Sequence, residues 1–280
     1  MKADCHIHAV LDGVDWKNSL QRHSQAPDEA FIRQMLKNYQ AQGYTYLRDG
    51  GDRWNAGVLA RSLAPEYGIT YRTPGSPLCE KGRYGGFIGC TYQSMQEYAA
   101  LVAQARQNGM DFIKIMISGL MDFDRFGVLT EAGMPKEQIR QLIHIAHQEG
   151  MAVMAHANGA ETVLAAAEAG VDSVEHGAYL NEETLWAMKE SGTVWVPTLS
   201  TIGNLRGKGR FCQIAVEKIL ENALQNVNRY GEMDGLLAPG TDAGAWAVPH
   251  GSKTEIPLLH QAGITDKQLQ RGIQVIMQKF

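Results

Sequence analysis

Six residues with the chemistry of metal ligands close or interrupt apolar runs: His6, His8, Lys114, His156, His176 and Asp242. His6 and His8 end the run Ala3–His8, and at i and i+2 of an extended segment both side chains point to one side. Lys114 lies within Phe112-Ile-Lys-Ile-Met-Ile117, His156 ends Met151-Ala-Val-Met-Ala, and His176 ends Ser173-Val-Glu. Asp242 follows Leu236-Leu-Ala-Pro-Gly-Thr241. Imidazole and carboxylate suit zinc, with iron, manganese or cobalt as alternatives. Each residue alone has a bland explanation. His-x-His arises by chance, a strand lysine snorkels, a histidine satisfies itself in a core, and an aspartate caps a helix. Four imidazoles, a carboxylate and a lysine meeting at one place are hard to explain as packing.

Bringing them together requires a particular fold. Strands are expected at Ala3–His8, Tyr44–Arg48, Ile69–Arg72, Phe112–Ile117, Met151–His156, Ser173–His176, Val194–Pro197 and Leu236–Thr241. Helical patterns lie between them, including Asp28–Gln42, Ser94–Asn108, Pro135–Glu149, Ala160–Ala169, Glu182–Ser191 and Cys212–Tyr230. Gly43, Gly109, Gly150, Gly170 and Gly192 stand where helix C-caps are needed. Eight strands alternating with helices point to a parallel α/β sheet. No Gly-rich cofactor turn follows the first strand, and a length of 280 residues is close to the roughly 250 typical of a (β/α)8 TIM barrel. A single barrel domain over 1–280 is therefore expected. In that fold the C-terminal strand ends carry the chemistry, and all six residues belong there. The stretch from Thr73 to Thr91 reads as a long loop after the third strand.

Bulk properties narrow the partners. Hydrophobic residues make up 44% and charged residues 20%, ordinary for a chain with a sizeable core. The net charge of -4 and the absence of a basic run give no attraction to nucleic acid or acidic membranes. No apolar stretch is long enough to span a bilayer. The four cysteines form no C-x-x-C pair and read as reduced thiols. Met1 to His6 leave no room for a signal peptide before the first strand, so a cytoplasmic location is expected.

The sequence resembles the amidohydrolase superfamily, within it the prolidase-like and imidazolonepropionase-like metal-dependent hydrolases. The matching stretches are Asp4-Cys-His-Ile-His8, Asp111-Phe-Ile-Lys-Ile115, Ala146-His-Gln-Glu-Gly-Met-Ala-Val-Met-Ala-His-Ala-Asn-Gly159, Val174-Glu-His-Gly177, Val196-Pro-Thr-Leu199 and Gly240-Thr-Asp-Ala-Gly244. The resemblance implies a binuclear site, most simply of two zinc ions. His6, His8 and Asp242 would hold one metal, His156 and His176 the other, with a carbamate on Lys114 bridging both. A carbamate is an anionic, bidentate bridge, which a free amine is not. The implied reaction is attack of a metal-activated hydroxide on a polarised carbonyl, with Asp242 as proton shuttle. Tyr179 matches a position that relatives use against the carbonyl oxygen; the plain alternative is an exposed tyrosine at a helix start.

Two departures from the family stand out. With the first strand at the start and only two helical stretches after Asp242, the small β-sandwich domain usual in relatives is expected to be lacking, which would leave the barrel flank to solvent or to another subunit in a homo-oligomer. Where relatives carry Gly-Gly-His after strand three, this chain reads Gly82-Arg-Tyr-Gly-Gly-Phe-Ile-Gly89, with Phe87 in the histidine's place. Arg83, Lys81 and Arg125 fall in active-face loops and suit a substrate carboxylate, or are simply solvated charges. His250, in Pro249-His-Gly251, is a further candidate to touch substrate. His144 and His147 read as surface groups, His23 as a polar-loop residue with no partner visible in the sequence, and Arg48 as half of a structural ion pair.

The expected activity is hydrolysis of C–N bonds in a small molecule such as a dipeptide, an N-acyl amino acid or a cyclic amide. The alternatives are a mononuclear deaminase or cyclic-amide hydrolase using His6, His8, His156 and Asp242 with Lys114 unmodified, a lactonase or phosphotriesterase, and a degenerate metal-binding barrel without turnover.

Overall fold

The computed structural model describes residues 1–280 and alternates strands with helices along most of the chain. β1 (Ala3–Ile7) leads through α1 (Trp16–Arg22) and α2 (Glu29–Ala41) to β2 (Tyr46–Asp49), and α3 (Ala56–Leu63) leads to β3 (Thr70–Arg72). β4 (Leu78–Glu80) and β5 (Cys90–Tyr92) precede α4 (Met95–Gln107) and β6 (Ile113–Met116). Next come α5 (Lys136–Gln148), β7 (Val153–Ala157), α6 (Ala160–Glu168), β8 (Ser173–His176), α7 (Glu182–Glu190) and β9 (Val194–Val196). The order ends with α8 (Ser200–Gly203), α9 (Gln213–Glu232), α10 (Glu255–Gln261) and α11 (Asp266–Lys279). No helix is long and apolar enough to cross a membrane.

Local chemistry sets the helix ends. Asp28, Ser94 and Asn181 each accept the backbone N–H three residues on, and Thr265 with Gln268 closes a capping box. At the other end Gly170 adopts φ 79°, and the Val171 N–H reaches back to the Ala166 carbonyl. That closure satisfies an orphan carbonyl and turns the chain into the next strand. The same bond recurs after Gly43, Gly109, Gly150 and Gly192.

All named strand pairs are parallel, in two sheets ordered β1-β2-β3 and β5-β4-β6-β7-β8-β9. Two sequence expectations are corrected. The stretch from Thr73 to Thr91 is not one irregular loop, because it contains β4 and β5, with β4 inserted between β5 and β6. Leu236–Thr241 is not a regular strand, since Pro239 has no N–H to give a ladder. That segment nevertheless runs between β9 and β1. Trp195 donates to the Leu236 carbonyl (2.8 Å), Cys5 to that of Pro239 (2.9 Å), and Asp242 to that of His6 (2.7 Å). On the other side of the three-stranded sheet, the Asp111 N–H, just before β6, donates to the Thr73 carbonyl just after β3 (3.1 Å).

The largest apolar cluster packs α4 to α7 and α9 against the six-stranded sheet, and a second packs α2 and α3 against the three-stranded one. A third joins the two sheets: Cys5, Tyr46, Met154, Val194 and Ala238 meet Ile273, Ile276 and Phe280 of the α11 end. α11 seats so closely that a Cβ at Gly272 would collide with the Leu237 carbonyl oxygen. This apolar floor lies beneath the polar residues described next.

Candidate active site

Alternation along the strands decides which side chains face inward. In β6, Ile113 and Ile115 join the helix-facing core, so Lys114 points the other way. The Lys114 side chain is buried, and its Nζ has no hydrogen-bond partner. Around it the structure gathers the other five candidates. The ring centroids of His6 and His8 lie 5.3 Å apart, those of His6 and His176 5.1 Å, and those of His156 and His176 4.6 Å. One ligand atom each from His6, His8 and Asp242 falls within 4.8 Å of the others. Asp242 Oδ1 stands 3.2 Å from His8 Nε2 and 3.5 Å from His6 Nε2.

A layer below orients these groups. Glu175 Oε2 accepts from His6 Nδ1 at 2.7 Å, which aims Nε2 at the cavity. Glu175 Oε1 takes the Arg48 guanidinium at 2.7 Å and the Ser173 hydroxyl at 2.6 Å. Arg48 also donates to the Cys5 carbonyl (2.8 Å) and lies over the Phe280 ring. Both side chains of this pair are 0% exposed. Arg48 is therefore half of a structural ion pair, and its partner comes from β8. His176 Nδ1 is fixed by the Thr198 hydroxyl (2.7 Å), and His156 Nε2 lies 3.2 Å from the Gly119 carbonyl. Asp4 accepts from the Thr241 N–H and hydroxyl, anchoring the turn into Asp242. His176, Thr198 and Asp242 adopt positive φ (70°, 49° and 56°), sparsely populated for such residues and held by this network.

Burial and charge shape the protonation states. Burial pushes the Lys114 ammonium down to about 8, with Arg48 adding to the effect. Burial, then Lys114, lowers His6 to about 4 and His156 to about 3, so both rings are neutral lone-pair donors. Burial alone would raise Glu175, but Arg48 and His6 outweigh it and hold it at about 2. Asp242 likewise stays below the usual carboxylate range because His6 and His8 overcome its burial.

These groups form the floor of a cavity of about 550 Å³ whose walls come from the segments following the parallel strands. Fourteen of its 26 lining residues are hydrophobic, among them Trp16, Phe87, Phe123, Phe211 and Trp246. Three of the substrate-contact candidates lie outside this lining. Arg83 is outside the lining, tied to Glu131 at 2.8 Å and to the Ala132 carbonyl at 2.5 Å. His250 is also outside it, donating through Nε2 to the Leu11 carbonyl at 2.8 Å. Tyr179 lines a small adjoining pocket behind His176, where its hydroxyl has no partner. His23 does have a partner, since its Nδ1 accepts the Asp28 N–H.

Tyr84 and Arg210 are lining residues that sequence reasoning passed over. The Tyr84 ring centroid lies 4.8 Å from that of His156, and its hydroxyl makes no bond to protein. The only signal was its place in Gly82-Arg-Tyr-Gly-Gly-Phe87, where attention fell on Phe87.

The donor set fits divalent cations. The His6 Nε2, His8 Nδ1, Asp242 Oδ1 and Lys114 Nζ atoms are buried without hydrogen-bond partners, which native proteins seldom tolerate. A carboxylate behind a histidine, as Glu175 stands behind His6, is the usual support for a metal-binding imidazole.

No protein-family profile matches the chain. It is 26% identical over 236 residues to the ochratoxinase of Aspergillus niger, covering 71% of this chain and 47% of that protein. The chain thus spans about half the length of the curated relatives it matches. A crystal structure of a Xaa-Pro dipeptidase with methionine bound in its active site superposes with TM-score 0.79 at 22% identity, over 99% of this chain and 75% of that one. The A. niger ochratoxinase structure superposes with TM-score 0.73 at 21% identity, over 98% and 68%. At these identities the structural likeness is one of fold.

Proposed function

From the chain's membership of the amidohydrolase superfamily, we propose that residues 1–280 form one catalytic (β/α)8 barrel that hydrolyses C–N bonds of small amides with the help of divalent metal. The observation that carries this reading is the set of buried, partnerless atoms facing one cavity: His6 Nε2, Asp242 Oδ1 and Lys114 Nζ. Ring closure is supported by the hydrogen bonds of segment 236–242 to β9 and β1 and by that of Asp111 to Thr73.

In this proposal His6, His8 and Asp242 would hold one cation, His156 and His176 would hold a second, and Lys114, as its carbamate, would supply an anionic oxygen ligand between them. Bound metal would supply Lewis acidity toward a carbonyl and toward water. The chain's own groups do the rest. Asp242 is at the cavity floor and ionised, so it is the base that takes a proton from attacking water and returns it to the leaving amine. Tyr84, whose ring packs against that of His156 in the cavity wall, is the donor that steadies the carbonyl oxygen. Glu175 holds the His6 ring in place. The apolar walls exclude bulk water, which strengthens each of these interactions.

A second reading, a single-metal hydrolase with Lys114 unmodified, is favoured by one observation: the tight ligand cluster comprises only His6, His8 and Asp242. Lys114→Ala separates the two. With a bridging lysine, the variant drops from two metals per chain to one and loses about 10²-fold or more in kcat on N-acyl amino acids and dipeptides, in line with loss of a metal's Lewis acidity. Unchanged metal content with activity within a few-fold selects the single-metal reading. A fully metallated wild type inert on dipeptides, N-acyl amino acids and cyclic amides alike would remove the amide-hydrolase proposal.

A further inference from the structure

The rim of the cavity carries a cation with no counter-charge. Arg210 lines the cavity, and its guanidinium carbon lies 4.3 Å from the Trp246 ring centroid and 5.2 Å from that of Phe211. Every other arginine except Arg53 has a carboxylate within 4.0 Å, and Arg53 is not part of this lining. The only other acidic lining residues are spoken for: Asp122 is paired with Arg125, and Asp242 belongs to the metal cluster.

The loop that carries Arg210 is docked. Gly207 N–H donates to Gln213 Oε1 and Cys212 N–H to Asp124 Oδ1, both at 2.7 Å. Gln213 Nε2 donates to the Phe211 carbonyl at 3.0 Å, and the Phe211 ring packs on Phe123 with centroids 5.3 Å apart. The guanidinium sits against the Trp246 ring and makes no ion pair within the chain, which leaves its N–H groups free for a planar two-oxygen anion. On the other side of the mouth, Trp16 and Phe87 pack edge to face at 5.5 Å, and Trp16 is 48% exposed. An apolar cleft with few polar groups selects an apolar ligand and lets those groups set its orientation.

We infer that Arg210 is the specificity determinant of this cavity, and that its ligands are amides bearing a bulky aromatic group and a free carboxylate. The aromatic group packs among the rings of the mouth, the carboxylate takes the Arg210 edge, and the amide between them reaches the floor. This deepens the amide-hydrolase proposal and rests on it for the reaction, though not for binding.

Calorimetric titration of the metal-loaded protein with N-benzenesulfonyl-phenylalanine, which has no carbonyl amide to cleave, and with its neutral carboxamide tests the inference without turnover. The wild type binds the acid at least tenfold more tightly than the carboxamide. Arg210→Gln binds the two equally, at the carboxamide's affinity and with an unchanged Tm, since the side chain is exposed. Three outcomes overturn the inference: equal binding of both probes by the wild type, binding of neither, or an acid preference that survives in Arg210→Gln. A protein that binds as described yet cleaves no amide would overturn the proposed reaction and leave this assignment standing.

Discussion

Asp242→Asn yields a folded, metal-binding protein whose kcat falls by about 10³-fold, within the range for loss of a general acid–base group. The substitution is nearly isosteric. Asparagine also tolerates the left-handed backbone that position 242 adopts (φ 56°), and the N–H bond to the His6 carbonyl is untouched. What disappears is the only carboxylate on the cavity floor and its negative charge near Lys114. Steady-state kinetics beside a thermal melt checks this. Activity within tenfold of wild type would assign proton transfer to another group.

The second large effect is predicted one layer down. Glu175→Gln leaves the Arg48 guanidinium buried without a countercharge, and breaking a buried pair from one side costs about 3–5 kcal/mol. For a chain of this size a loss of that order lowers Tm by about 10 °C. The same change loosens the His6 ring, and loss of such an outer partner weakens metal binding by roughly 10–100-fold. Adding Arg48→Met separates the two consequences. The double variant regains much of the stability, because no lone charge is left buried, while its metal affinity stays low, because His6 still lacks its carboxylate. Recovery of both properties together would mean that Glu175 acts on the site only through overall stability.

Much of this was legible in the sequence because strand ends and ligand residues coincide. β8 appears at Ser173–His176 as expected, and the glycines marked as helix stops bear the positive φ that such stops require. The six ligand-type residues were recognisable as a set because each interrupts an apolar run. Other features leave no periodic signal. β4 and β5 are three residues each, too short for alternation to register among the prolines and glycines around them. Pro239 and Gly240 prevent a ladder in a segment that is nonetheless extended between two strands.

The contacts of long side chains were the least legible. Arg83 carries the right charge in an active-face loop, yet Glu131, 48 residues along the chain, claims it. Arg210 is a similar loop arginine, and only the absence of any carboxylate near it distinguishes the two. Glu175 stood beside His176 in the motif, but its link to Arg48 depends on which way each strand faces its neighbour across the interior.

The most direct test of the central claim is metal content per chain, by elemental mass spectrometry on protein purified without chelator and reconstituted with zinc and bicarbonate. The account predicts two metal ions per wild-type chain. A chain that retains none after reconstitution would contradict it, since the partnerless atoms of His6, Asp242 and Lys114 would then have no metal to explain them.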